Sequence, residues 1–198
     1  FYITTNEYSL FGPEFHGAQV YAFSKKALAS AAAVINLTQF DTHGVDKGNS
    51  GFTLWPAQSS GGNGSLPSSA NGTEFLISSN AADEAHGNGI AVGPRTSTEL
   101  LVWALTNTTS LDASSPQPEL MHKTLGVNRY GVPPKADQRP GQAPLLQCLQ
   151  DPACATFLNG QPDPFPEHLA AVDSNDTRMQ QVTLANGELW GALDTALT

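Results

Sequence analysis

Charged side chains are scarce in this sequence. They make up 14% of its 198 residues, against about 25% in ordinary soluble domains. A helical bundle needs Glu, Lys, Arg and Leu on its helices, so the composition argues against that class. Glycine and proline are plentiful instead, with 18 and 14 residues. This composition is typical of short strands joined by many ordered loops, and we expect an all-β fold.

Basic residues are the least frequent of the charged residues. Nine Lys and Arg stand against 18 Asp and Glu, which gives a formal net charge of −9. Such a chain repels a phosphate backbone or an anionic membrane, so nucleic acid is not an expected partner. Long apolar runs are missing as well. The longest weakly polar stretch, residues 27–37, falls short of the about 20 apolar residues that a membrane-spanning helix needs.

Only two cysteines occur, Cys148 and Cys154, with five residues between them. A zinc site normally combines closely spaced cysteines with a second pair or with histidines, and neither lies nearby. We therefore expect a local disulfide rather than two free thiols. It would stabilise the fold by roughly 2 kcal/mol at most. A disulfide also indicates an oxidising compartment, which predicts an extracellular or periplasmic location.

Sequence motifs for common chemistries are missing too. The chain contains no Gly-x-Ser-x-Gly run, phosphate-binding loop or dinucleotide-binding fingerprint, which removes the commonest hydrolase, kinase and Rossmann interpretations. Its five histidines are scattered, without an i, i+4 pair or a fixed partner, so we predict no metal site and no cofactor. Residues 173–176 hint at calcium, but they lack the twelve-residue loop with its glycine and closing glutamate.

Runs of aromatic and β-branched residues between Gly, Pro and Asn predict the strands. The clearest of these runs lie at residues 1–6, 18–23, 34–40, 52–55, 74–78, 99–107, 180–185 and 188–193. The second and third should form an antiparallel hairpin whose connection holds a helical turn capped by Ser24. The run 99–107 is the most hydrophobic, so we expect a central strand, buried on both faces and paired with 74–78. Asn186-Gly187 predicts a tight hairpin between the last two strands.

Three runs resemble exported bacterial propeller-like proteins of unknown function. They are Phe-Tyr-Ile-Thr-Thr-Asn-Glu-Tyr at 1–8, Gly-Ala-Gln-Val-Tyr-Ala-Phe at 17–23 and Asn-Gly-Glu-Leu-Trp-Gly-Ala at 186–192. The resemblance implies a β-propeller-like architecture and no catalytic assignment. The sequence predicts about nine or ten strands, too few for a closed ring, since that needs roughly four blades of four strands. We therefore expect an incomplete ring, with a β-sandwich as the alternative.

The domain organisation follows from the same strand count. Residues 1–198 are interpreted as a single β domain. Because Phe1 opens inside a predicted strand, we expect this domain to be a fragment of a longer propeller-like protein, with the rest of that chain as its partner. A sheet edge left uncovered should make the isolated chain unstable or prone to self-association.

Two groups of residues are candidates for binding a ligand. Asn6 and Glu7 lie where the first predicted strand becomes a loop. A carboxylate there could point into a channel and act as an acid or base, although a surface carboxylate in a turn is the simpler explanation. Asp173, Asp176 and Arg178 precede the final hairpin. Paired acids with an oriented arginine suit the hydroxyl groups of a carbohydrate or a substrate carboxylate. An Asp/Arg ion pair that braces the turn explains the same residues more simply.

Two classes of function remain open. A binding or surface-display module should present aromatic and amide side chains, and the abundance of Asn, Ser, Gly and Trp favours this class, with a glycan or another surface ligand as partner. The alternative is a glycan-directed hydrolase, whose site needs only two or three carboxylates in a cleft. Clustered acids are scarce in the sequence, so we expect the binding module.

Overall fold

The computed structural model describes residues 1–11, 15–46, 48–59, 72–81, 96–134, 136–137, 171–172, 174 and 177–197. In chain order the strands are β1 (Tyr2–Tyr8), β2 (Phe15–Phe23), β3 (Leu37–Asp41), β4 (Phe52–Ser59), β5 (Glu74–Ser79), β6 (Thr96–Thr106), β7 (Glu119–Gly131), β8 (Ala136–Asp137), β9 (Ala171–Val172), β10 (Met179–Ala185), β11 (Glu188–Leu193) and β12 (Ala196–Leu197). The helices are α1 (Lys25–Ala29), α2 (Thr42–Val45) and a 3-10 helix, Thr108–Asp112. The predicted all-β class is confirmed.

β1, β2 and β3 form a three-stranded antiparallel sheet with β2 in the middle. Successive side chains of a strand point to opposite faces of its sheet, and exposure in β1 follows that period. Residues 2, 4 and 6 are half-buried and residues 3, 5 and 7 are exposed. The sheet therefore has one face toward the core and one face toward solvent.

The larger sheet has the strand order β11-β10-β4-β5-β6-β7-β12 and is curled into half a barrel. Its two edge strands are consecutive in the chain, because only Asp194 and Thr195 separate β11 from β12. Thr195 Oγ1 accepts a hydrogen bond from Gly131 N at 3.0 Å, which fixes this connection against β7. The chain therefore passes directly from one edge strand of the curled sheet to the other.

The two sheets share a hydrophobic core. Residues of β2 on its inner side pack against inner residues of β4, β5 and β6: Ala18, Val20, Ala22, Leu54, Leu76, Leu101, Trp103 and Leu105. Trp103 is fully buried, and its indole Nε1 donates to Ser78 Oγ at 2.9 Å. The other face of the curled sheet has its own cluster, built around Ile77, Met179 and Val182.

Several predictions of local structure are confirmed. Ser24 caps α1 and accepts from Ala27 N at 2.9 Å. β5 pairs with β6 in antiparallel register. Asn186 and Gly187 both have positive φ, at 53° and 81°, as the turn of a two-residue hairpin requires. β6 was expected to be buried on both faces. Instead, residues 101, 103 and 105 are buried, whereas residues 102 and 104 between them are half-buried.

The longest strand of the structure, the thirteen-residue β7, was not predicted. It pairs with β6 over most of its length. Whether the domain is one fragment of a longer propeller-like protein stays a prediction. Among the helices of the described ranges, none has the length and apolar character needed to cross a bilayer.

Candidate functional site

The solvent-facing side of the three-stranded sheet presents a continuous set of side chains, which we call the outer face. Its members are Phe1, just before β1; Ile3, Thr5 and Glu7 in β1; Gln19, Tyr21 and Phe23 in β2; and Leu37, Gln39 and Asp41 in β3. The register places Ile3, Tyr21 and Gln39 in one row across the sheet, and Phe23 next to Leu37. Phe1 continues β1 opposite Phe23 through two backbone hydrogen bonds.

One end of the outer face is apolar. The rings of Phe1 and Phe23 lie with centroids 5.2 Å apart at an angle of 44°. Phe1 is 50% exposed and Leu37 is 56% exposed, and Ile3 is also exposed. Contiguous exposed apolar side chains of this kind mark interaction surfaces on soluble proteins.

The other end of the outer face is polar and ordered by side-chain hydrogen bonds. Gln19 Nε2 donates to Glu7 Oε2, and Gln39 Nε2 donates to Gln19 Oε1 at 3.0 Å. We call this row the amide ladder. Gln19 is only 5% exposed, so its neighbours hold it in place. Within the described ranges, Glu7 Oε1 and Gln39 Oε1 receive no hydrogen bond from the protein, and both can accept from a ligand.

A pocket of about 440 Å³ opens beside the apolar end of the outer face. Its lining comes from the start of β1, the end of β2, α1 and the 3-10 helix: Phe1, Tyr2, Phe23, Ser24, Lys25, Lys26, Ala29, Thr108, Leu111 and Asp112. Ser24 Oγ donates to Asp112 Oδ1 at 2.6 Å, which ties α1 to the 3-10 helix. Because Phe1 and Phe23 belong to both features, the pocket continues the outer face.

The structure places the two predicted residues of β1 on opposite faces. Glu7 lies on the outer face within the amide ladder. Asn6 points to the inner side, where its side chain makes hydrogen bonds to Thr53. Both residues lie within β1 rather than at its junction with a loop. Because neighbouring strand residues alternate in direction, Asn6 and Glu7 do not form one site.

The second predicted group is described only in part. The guanidinium carbon of Arg178 lies 5.5 Å from the centroid of the Phe52 ring, a cation–π distance. Asp173 and Asp176 lie outside the described residues, as do Cys148 and Cys154. The binding role of the two acids therefore stays a prediction, and so does the disulfide.

One acidic side chain, that of Glu74, is half-buried at the start of β5. Burial raises the pKa of Glu74 to about 7, although the ammonium group of Phe1 and the hydrogen bond from Ala57 N oppose the shift. Burial also raises the pKa of the nearby Tyr2. Glu74 stands on the inner side of β5, in line with the core residue Leu76, so it faces the core rather than the outer face.

A histidine–carboxylate pair joins α2 to β7, which corrects the expectation that no histidine has a fixed partner. His122 Nε2 lies 3.3 Å from Asp46 Oδ2, and the imidazole packs against Trp103 with ring centroids 4.8 Å apart. Hydrogen bonds from Gly48 N and from Asn49 lower the pKa of Asp46. The described part of the chain contains no group of three or more His, Cys, Asp or Glu suited to a metal ion. We interpret the pair as a brace.

Sequence reasoning missed most of the outer face. Tyr21, Gln19 and Gln39 were not candidates. Alternation along the predicted strand 18–23 did put Tyr21 on the sheet face opposite to that of Val20. The missing information was the register between strands, since it brings Glu7, Gln19 and Gln39 together across three separate segments. Register depends on packing against the curled sheet.

Comparison of this chain with protein-family models, with curated proteins and with solved structures finds no match. The expected relationship to exported propeller-like proteins therefore remains a prediction.

Proposed function

We propose that this chain is a binding module that holds a glycan on the outer face. The observation that supports the proposal best is the pairing of an exposed apolar end with the amide ladder on one sheet face. A ligand that lies along this face would contact both kinds of side chain at once.

The chemistry of a sugar suits such a surface. A pyranose ring has an apolar face of C–H groups and an edge of hydroxyl groups. Aromatic side chains such as Tyr21 and Phe23 provide large apolar contact area with few rotatable bonds. Amide and carboxylate oxygens accept hydrogen bonds from hydroxyl groups, and the ladder offers Glu7 Oε1 and Gln39 Oε1 for this purpose.

The ladder is ordered before any ligand arrives. Gln19 is nearly buried and uses both ends of its amide to hold Glu7 and Gln39. Ordering side chains in advance reduces the conformational entropy that binding would otherwise lose. This supports a binding role for the polar end.

The dimensions also suit an extended ligand. The strand positions from Phe1 to Glu7 span roughly 20 Å at about 3.3 Å per residue, and the three strands span roughly 10 Å. That area accommodates a short oligosaccharide rather than a single sugar. We also propose an extracellular or periplasmic location, where the module would meet glycans.

The alternative function is a glycan-directed hydrolase. Such an enzyme needs a pair of carboxylates on either side of the scissile bond. The outer face has two carboxylates, and both already accept hydrogen bonds within the protein: Glu7 from Gln19, and Asp41 from His43 N at the start of α2. The remaining candidates, Asp173 and Asp176, lie outside the described residues, so the binding module is the function that the described geometry supports better.

The test is a glycan array followed by calorimetry on the purified chain. Tyr21→Ala should weaken binding of any glycan that the wild type retains by about tenfold, the effect of losing roughly 1.4 kcal/mol of aromatic contact. Gln39→Ala should also weaken it, because the variant breaks the amide ladder. The matched control is Met121→Ala, an exposed apolar residue of the curled sheet, which should bind as the wild type does.

Two results would overturn the proposal. One is a folded wild-type chain that binds no glycan on the array. The other is a bound glycan whose affinity is the same in the Tyr21 and Gln39 variants as in the Met121 control, since the ligand would then lie elsewhere.

A further inference from the structure

The pocket beside the apolar end contains an unusual concentration of positive charge. Only nine of the 198 residues are basic, yet two of them, Lys25 and Lys26, lie side by side on its wall. Neither ammonium group forms an ion pair with a carboxylate in the described part of the chain. As far as the described residues go, both cations are therefore available to a ligand.

The acidic residue of the pocket does not neutralise both lysines. Asp112, from the 3-10 helix, also lines the pocket and accepts a hydrogen bond from Ser24 Oγ. The side chains of the pocket thus have one negative and two positive charges. Ser24 also caps α1, so this hydroxyl holds the segment with the lysines against the 3-10 helix.

Charge changes sign along the outer face. The pocket with its two lysines adjoins Phe1 and Phe23, whereas Glu7 and Asp41 lie at the opposite end. These ends are roughly 20 Å apart, which exceeds the Debye length of about 8 Å at physiological salt. Each end therefore acts on the part of a ligand that lies next to it.

We propose that the pocket binds a single carboxylate at one end of the glycan, as a terminal uronic acid supplies. The inference depends on the proposed glycan-binding function and names the ligand class more closely. The sugar rings lie on the apolar end and along the amide ladder, and the acidic terminal sugar enters the pocket between α1 and the 3-10 helix. The polar end, with its two carboxylates, takes neutral sugars.

A polyanion does not fit this distribution of charge. The chain has a net charge of −9, so a heavily sulfated or fully uronate polymer is repelled from the molecule as a whole. Its charges would also lie against Glu7 and Asp41. A ligand with one acid group at the lysine end avoids both kinds of repulsion. Its carboxylate is attracted by Lys25 and Lys26, and it has no further negative charge to lie against Glu7 and Asp41.

The experiment is calorimetry on the full chain with a matched pair of oligosaccharides. One ends in a uronic acid, and the other is its methyl ester, which has the same rings without the charge. At low salt the acid should bind about fivefold more tightly, the effect of partly exposed charge pairs. High salt should reduce this preference, because exposed charges are screened.

Variants test whether the two lysines of the pocket cause the preference for the acid over the ester. The double variant Lys25→Gln, Lys26→Gln should bind the acid and the ester equally, with the affinity for the ester unchanged. Lys123→Gln, an exposed lysine of β7, is the control and should keep the preference for the acid. Tyr21→Ala should weaken both ligands, since both use the outer face.

Each other outcome has a distinct meaning. Equal binding of acid and ester by the wild type overturns this inference and leaves the glycan-binding function intact. A preference for the acid that survives in the double variant overturns it as well, because the carboxylate then lies elsewhere. Tighter binding of a sulfated polymer than of the single acid contradicts the single-group assignment. If neither oligosaccharide binds and the array shows no bound glycan, the proposed glycan-binding function itself is wrong.

Discussion

The side chain of Asn6 holds Thr53 by two hydrogen bonds. Asn6 Nδ2 donates to Thr53 Oγ1 at 2.8 Å, and Thr53 N donates to Asn6 Oδ1 at 3.1 Å. Thr53 has φ of 51°, in the left-handed region that β-branched residues rarely adopt. It lies where the register between β4 and β5 shifts. Because Asn6 belongs to the three-stranded sheet and Thr53 to the curled sheet, the pair joins the sheets at a strained position.

Replacing Asn6 by alanine should therefore destabilise the fold. The loss of two hydrogen bonds predicts a decrease of about 2 kcal/mol in the free energy of unfolding, measured by urea denaturation. Thr5→Ala is the control, since Thr5 is the exposed neighbour in β1 and should change stability by less than about 0.5 kcal/mol. Equal effects of the two substitutions would contradict the bracing role of Asn6.

The two tryptophans Trp103 and Trp190 should differ sharply in their contribution to stability. Trp103 is fully buried between the sheets, whereas Trp190 is 61% exposed on the edge strand β11. Trp103→Ala should lower the free energy of unfolding by about 3 to 5 kcal/mol, as the loss of a large core aromatic does. Trp190→Ala should change it little. Thermal unfolding followed by circular dichroism measures both, and the reverse order would refute the position of the core.

Glu74 should make stability depend on pH. Its pKa in the folded chain, about 7, lies above the ordinary value of 4.5, so the folded state binds a proton more tightly than the unfolded state. The contribution to stability is fully present below about pH 4.5 and is lost as the pH rises through about 7. Glu74→Gln mimics the protonated acid and should flatten this decline in unfolding experiments at several pH values.

A control separates this effect from the other acids. Glu119→Gln removes an exposed carboxylate at the start of β7 and should leave the pH profile of stability as it is in the wild type. A Glu74→Gln variant with the wild-type profile would show that another group causes the decline.

Open sheet edges predict self-association of the isolated chain. β1 and β3 are the edge strands of the three-stranded sheet, and β11 is one edge of the curled sheet. Unpaired backbone groups at such edges bind other chains. Light scattering should show a mass that rises with concentration, and Trp190→Lys should reduce association if β11 is the edge involved. A monomer that unfolds cooperatively would contradict the fragment interpretation and favour a self-contained β-sandwich.

Prediction from sequence succeeded where the pattern of one strand is sufficient. The run 99–107 indicated a central strand, and Asn186-Gly187 indicated the hairpin between the last two predicted strands, because these features depend on local propensity and turn chemistry. β7 was missed because its exposed side contains Met121 and Leu125. Apolar residues on both sides remove the alternation that marks a half-buried strand.

The sequence by itself determined the all-β class, the positions of most strands and the cap of α1, since these depend on neighbouring residues. Only the tertiary structure decided which side chains meet. Glu7, Gln19 and Gln39 come from three strands, and their contact depends on a register that packing of Val20 and its neighbours against the curled sheet fixes. A shift of one residue would turn the amide ladder toward the core, and no local pattern excludes that shift.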